Sequence, residues 1–166
     1  MFDGLALACQ YNNTEIIFNF CARFFDSFIQ LMNIYKSVPE VQLVILHLFS
    51  HLAGRLDFGY LTPENKQTLF AAINQIIQSF GAANQGKKRM HTQEEEEDQP
   101  YEDISTALAM LSNVMASGIE DFSRKEQGLD NDRGVADVVL FGINIVIPMI
   151  DLEMLKVRKK TLHIFV

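Results

Sequence analysis

Ile17, Phe20, Phe24, Phe28, Leu31 and Tyr35 recur at intervals of three and four residues, which lays them along one face of an α-helix. The same period carries through most of the chain, and it is the strongest constraint on the fold. Asn13 or Thr14 can cap this first helix, and Ser37-Val38-Pro39 stops it. Pro39 stands where the first turn of a second helix needs no backbone donor. Val41, Val44, Ile45, Leu48, Phe49, Leu52 and Leu56 carry that helix, and Leu43 and Leu46 make it apolar over much of its circumference. A helix so widely apolar is sandwiched between neighbours.

Gly59 breaks the pattern. Thr62-Pro63-Glu64 restarts it with a capping hydroxyl, a proline at the first position and an acid in the first turn. Leu69, Phe70, Ile73, Ile76, Ile77 and Phe80 form the apolar stripe of a third helix, which Gly81 is expected to end. A fourth runs from about Glu102 through Ile104, Leu108, Leu111, Val114 and Met115 to Ser117-Gly118, and Asp121 to Gly134 reads as a polar loop. A fifth begins near Val135 and bends or stops at Pro148, whose ring cannot continue the hydrogen-bond ladder. A sixth, from about Asp151, takes in Met154, Leu155, Leu162 and Ile164. Strand signals are missing, with no Asn-Gly hairpin between alternating runs and no βαβ spacing.

The helices fall into pairs over about 15–57, 63–117 and 135–166, and setting aside the polar insertion 82–99 makes the pair starts nearly even. Two-helix units of roughly 40–47 residues mark HEAT and armadillo arrays, in which each unit buries its face by stacking on the next. The expected fold class is therefore all-α, a HEAT-like helical repeat solenoid of about three antiparallel pairs across 1–166, with a compact six-helix bundle as the alternative. Phe24, Phe28, Val44, Leu48, Ile73, Ile77, Leu108 and Leu111 are the expected core. The apolar runs Leu5-Ala6-Leu7-Ala8-Cys9 and Leu162-His163-Ile164-Phe165-Val166 at the two ends carry no polar capping unit, so the chain is expected to be a piece of a longer array.

Composition narrows the function. The hydrophobic share of 48% against 21% charged is enough for a core. A net charge of −7 argues against a nucleic-acid surface, which needs clustered Lys and Arg, and suits basic protein partners or simple solubility. The longest uncharged run, Val138 to Ile150, contains Gly142, Asn144 and Pro148 and is too short and interrupted to insert in a membrane. Cys9 and Cys21 lie in hydrophobic stretches and read as buried thiols rather than a disulfide framework.

Chemistry-bearing patterns are weak. His47 and His51 have the spacing of two metal ligands on one helix, but no third ligand accompanies them, so they read as face-edge residues and no metal or cofactor is expected. Lys87-Lys88-Arg89 followed by Glu94-Glu95-Glu96-Glu97-Asp98 reads as a solvated loop between helices or as an acidic flap for a basic partner. No phosphate loop, catalytic triad or nucleophile elbow occurs, and Glu102-Asp103 and Glu120-Asp121 are sequence neighbours that point in different directions on a helix. The expected function is protein binding without catalysis. Glu102, Asp103, Glu120 and Asp121, flanking the acidic insertion, are the candidate partner contacts.

The block Ala136-Asp137-Val138-Val139-Leu140-Phe141-Gly142-Ile143-Asn144-Ile145-Val146-Ile147-Pro148-Met149-Ile150, continued by Asp151-Leu152-Glu153-Met154-Leu155-Lys156, resembles a stretch in the C-terminal third of the exportin-4 family of nuclear export receptors, within the importin-β (karyopherin) superfamily. Ile17-Phe18-Asn19-Phe20, Tyr35-Lys36-Ser37-Val38-Pro39-Glu40 and Ile119-Glu120-Asp121-Phe122-Ser123 match more loosely, in the same order. The family pattern is lost at Val157-Arg158-Lys159-Lys160, and the N-terminal repeats that carry much of the Ran contact in the superfamily are absent. The resemblance implies a HEAT superhelix that binds protein cargo together with Ran-GTP, passes nucleoporins, and shuttles between nucleus and cytoplasm. Translation initiation factor 5A is the cargo it implies. The alternative is a free-standing helical-repeat adaptor or scaffold.

Overall fold

The structure, a computed structural model, describes residues 13–87, 101–124 and 132–150, the side chains of 119–124 and 132–133 excepted. Every regular element among the described residues is helical, which bears out the all-α expectation. The helices are α1 (Thr14–Ala22), α2 (Phe25–Ile34), α3 (Pro39–Arg55), α4 (Pro63–Asn84), α5 (Glu102–Arg124) and α6 (Asp132–Val146), with 3₁₀ turns at Phe58–Tyr60 and Ile147–Met149.

Local sequence sets several boundaries. Pro39 opens α3 at its first turn. Thr62 caps α4, its hydroxyl accepting from the Asn65 amide at 3.2 Å ahead of Pro63. Pro148 falls in the 3₁₀ turn that ends α6. Asn13 occupies the position before α1 but makes no side-chain cap; the buried Thr14 hydroxyl instead accepts from the Asp57 amide at 3.5 Å.

Three sequence expectations are corrected. The first helix is two helices, because the chain tightens at Arg23-Phe24, where the Phe24 amide donates to Cys21 at 3.0 Å. The buried side of α1 and α2 is then Ile17, Phe18, Cys21, Phe25 and Met32, while Phe24 and Phe28 are only half-buried and Phe20, Leu31 and Tyr35 are exposed. Val44 is 66% exposed: it lies in the outward stripe of Glu40, His51 and Arg55. Leu48, Ile73, Ile77 and Leu111 are buried as expected, and Leu108 is half-buried against the core.

Gly81 and Gly118 do not end their helices. α4 continues to Asn84 and α5 to Arg124, and α6 begins at Asp132, which shortens the expected 121–134 loop. The glycines serve another purpose. A Cβ on Gly81 would come within 2.3 Å of Ile145 Cγ2 on α6, and one on Gly118 within 2.7 Å of Val135. The neighbouring helix leaves no room for a side chain there, and that outweighs the helix-propensity cost of glycine. The expected irregular insertion therefore starts after Asn84, with Gly86 at φ 77° in the turn that follows. Its segment 88–99, the opening run Leu5–Cys9 and the helix expected from Asp151 lie outside the described residues.

From α3 onward, consecutive helices run antiparallel. Asn84, at the end of α4, donates to the Gln42 side chain at the start of α3 at 2.8 Å. Gly118 faces Val135 and Leu111 faces Gly142, so α5 and α6 also run in opposite directions. Alternate helices run parallel. Asn113 of α5 bonds to Ser50 of α3, 63 residues earlier, and Ser117 bonds to Ala53, 64 residues earlier. α6 follows α4 at the same interval: Gly134 meets Phe70, Gly142 meets Ile77 and Gly81 meets Ile145. α4 also carries α2 on its other flank. The result is two layers, α2-α4-α6 and α3-α5, closed over one apolar core.

Phe49, fully buried, centres the first part of that core, with Phe25 at 5.2 Å and Phe28 edge-on at 6.3 Å between ring centroids. Phe58 in the 3₁₀ turn packs edge-on against Phe70 at 5.7 Å and seals the α3–α4 connection.

Candidate functional site

The outward surface of the α3–α5 layer holds the sequence-predicted residues that the structure describes in full. On α3, the sequence spaces Glu40, Val44, His47, His51 and Arg55 three and four residues apart, which puts them on one stripe. Glu102 and Asp103 begin α5, and Glu102 Oε1 lies 3.4 Å from His47 Nε2, with side chains 49% and 41% exposed. A contact this long and this wet contributes well under about 1 kcal/mol. Asp103 turns back on its own helix, its Oδ1 accepting from the Ile104 amide at 2.8 Å. Both acids also stand where the unpaired amides and dipole of the helix start favour negative charge.

Glu120 and Asp121 lie on the last turns of the same helix; their side chains are outside the described set. Eighteen residues at 1.5 Å each separate them from Glu102 and Asp103 by about 27 Å along the axis. The four acids therefore form two stations on one rod and not a single cluster.

His47 and His51 have ring centroids 6.2 Å apart and tilted by 38°. Glu102 supplies a third polar group near His47 that the sequence spacing alone did not suggest. Among the described residues, no three His, Cys, Asp or Glu side chains are gathered as metal ligands, and no helix is long and apolar enough to cross a membrane. Cys21 is buried with its sulfur in the thiol form.

The surface also carries apolar residues that the search for polar chemistry missed. Ile16 is 70% exposed, Ile34 69% and Leu140 60%, and Phe20 packs its ring on Phe24 at 5.5 Å at the edge of α1. Their signal was in the sequence as a second apolar stripe beside the buried one, since a helix bearing two such stripes is built to have neighbours on both. What the surface offers chemically is contact: half-exposed imidazoles, acids and apolar edges on a rigid two-layer frame. The sequence matches no protein-family profile.

Proposed function

We propose that this chain is a stack of two-helix repeats that binds other proteins, and that it forms part of a nuclear export receptor of the exportin-4 type. One observation carries the repeat reading: α5 sits on α3, and α6 on α4, parallel and displaced by nearly one interval, 63 residues at Asn113–Ser50 in the first pair and 64 at Gly134–Phe70 in the second. Stacked repeats place each helix beside its counterpart in the next unit, whereas a closed bundle has no reason to keep one interval in both layers. With the 85–101 connection set aside, the interval approaches the roughly 40–47 residues of a HEAT or armadillo unit. The resemblance of Ala136 to Lys156 to the export receptors then selects among proteins built this way.

On this reading the outer helix faces bind protein cargo, with translation initiation factor 5A the cargo implied, while Ran-GTP and nucleoporins engage the receptor as it shuttles between nucleus and cytoplasm. The chemistry is recognition only. The test is retention of factor 5A on the immobilised chain, with and without Ran-GTP, across a salt series. Retention that fades with salt is expected, because the surface pairs involved are screened. A chain that ignores the factor at every salt concentration, yet retains other proteins, is the free-standing adaptor instead.

A further inference from the structure

His47 and His51 stand four residues apart on α3, the spacing at which two imidazoles on one helix face share a zinc ion. Such a pair alone is a weak signal. The structure adds a carboxylate from another helix: Glu102, the first residue of α5, brings Oε1 to 3.4 Å from His47 Nε2. That distance is long for a charge-assisted hydrogen bond, which closes to about 2.7–2.9 Å. It fits a different geometry. Two ligand atoms bonded at about 2.0–2.1 Å to one tetrahedral ion stand about 3.3–3.4 Å from each other.

We propose that His47, His51 and Glu102 bind a divalent transition-metal ion of the zinc class, with water in the fourth position. Two histidines from one helix and a glutamate from a second make a full set of three protein ligands for zinc. As they stand, the three are not gathered about one point, and the ion gathers them. The imidazole centroids are 6.2 Å apart. On one tetrahedral ion they stand about 5 Å apart, so binding draws His51 in by about 1 Å. His51 is exposed and His47 half-buried, so side-chain rotation achieves this without moving the helices. Asp103 adds a negative charge beside Glu102 and accepts from the Ile104 amide, which offsets the positive end of the α5 dipole. The ion's role is structural. A zinc hydrolase with this helical pair carries its general-base glutamate directly after the first histidine, and here that place belongs to the buried Leu48. Because the histidines lie on α3 and Glu102 opens α5, the ion ties together two helices that the 85–101 connection separates in sequence. The site is independent of the identity of any cargo.

Zinc and cobalt(II) chloride titrated into the full chain test it. Calorimetry should give one zinc site of highest affinity, weakened at least about tenfold by His47→Ala, by His51→Ala and by Glu102→Gln, since even a group behind a ligand is worth about 10–100-fold. Glu102→His should keep the site, because imidazole also suits zinc. None of the three side chains is in the core, so the variants keep the fold. Cobalt(II) should show the visible bands of a tetrahedral ion without the near-ultraviolet absorption of thiolate ligands. Zinc should raise the melting temperature of the native chain, and at the same concentration raise that of Glu102→Gln less. Affinity unchanged in all three variants would put the ion on the acidic run 94–98 or on thiols and overturn the proposal, as would the absence of any zinc binding. If the histidine variants lose zinc while Glu102→Gln keeps full affinity, the tie between α3 and α5 is overturned.

Discussion

Asn113 on α5 donates its side-chain amide to both oxygens of Ser50 on α3, the carbonyl at 3.0 Å and the hydroxyl at 3.2 Å. Ser117, one turn on, donates its hydroxyl to the Ala53 carbonyl at 2.7 Å. Together they fix the register of the α3–α5 layer. Asn113→Ala should cost about 1–2 kcal/mol, because Ser50 is buried and loses its partner while its carbonyl keeps the helix bond. Denaturant titration measures this. A loss under about 0.3 kcal/mol would mean that the pair is not held in solution.

One substitution at two glycines of α6 should have opposite signs. A Cβ on Gly142 would lie 2.5 Å from Leu111 Cδ2 and 3.0 Å from Ile77 Cδ1, so Gly142→Ala must spread three helices and should cost about 1–3 kcal/mol. At Gly134 the nearest atom is 3.4 Å away, on the Phe70 ring, which is ordinary contact. There, Gly134→Ala should be neutral or stabilising by up to about 1 kcal/mol, through helix propensity and a less free unfolded chain. Thermal melts of the two variants side by side decide it, and equal shifts would contradict the packing.

Much of this was legible from sequence where the cause is local. Thr62-Pro63 and Pro39 marked helix starts because a cap or a missing donor acts within one turn. Gly81 and Gly118 were read as helix ends because nothing in their own neighbourhood announces the helix that approaches them. The first helix had two apolar stripes to choose between, and what packs against it decided for Phe18, Phe25 and Met32 over Phe20, Leu31 and Tyr35. The candidate acids were grouped by closeness to the insertion, yet a continuous α5 sets Glu102 and Glu120 five turns apart.

The aromatic cluster gives a graded test. Phe49 is fully buried between Phe25 and Phe28, and Phe49→Ala should cost about 3–5 kcal/mol. Phe28 is half-buried and touches Phe49 by one edge, so Phe28→Ala should cost about 1–3 kcal/mol, less in any case than its partner. Chemical denaturation of both variants that reversed this order would place the wrong ring at the centre.

Asn74 offers a route to a more stable protein. Its Oδ1 is buried with no hydrogen-bond partner, and the sequence places it on the α4 face that carries Phe70, Ile77 and Gly81 toward α6. An unpaired buried carbonyl costs about 1–3 kcal/mol, so Asn74→Leu should raise the denaturation midpoint by recovering about 1 kcal/mol of it. A lowered midpoint would show that the amide is satisfied in solution after all.

Both parallel pairs, α3–α5 and α4–α6, span the 85–101 connection, and all that their contacts require of it is that it join the end of α4 to the start of α5. Doubling the length of a flexible loop costs only about 0.6 kcal/mol in closure entropy. A single residue inserted inside α4 or α5 would instead rotate every later contact of that helix by about 100°. The connection is thus the place to graft an epitope, a fluorescent label or a whole reporter domain, and it is also where a gene can gain or lose codons while the helices on either side stay as they are.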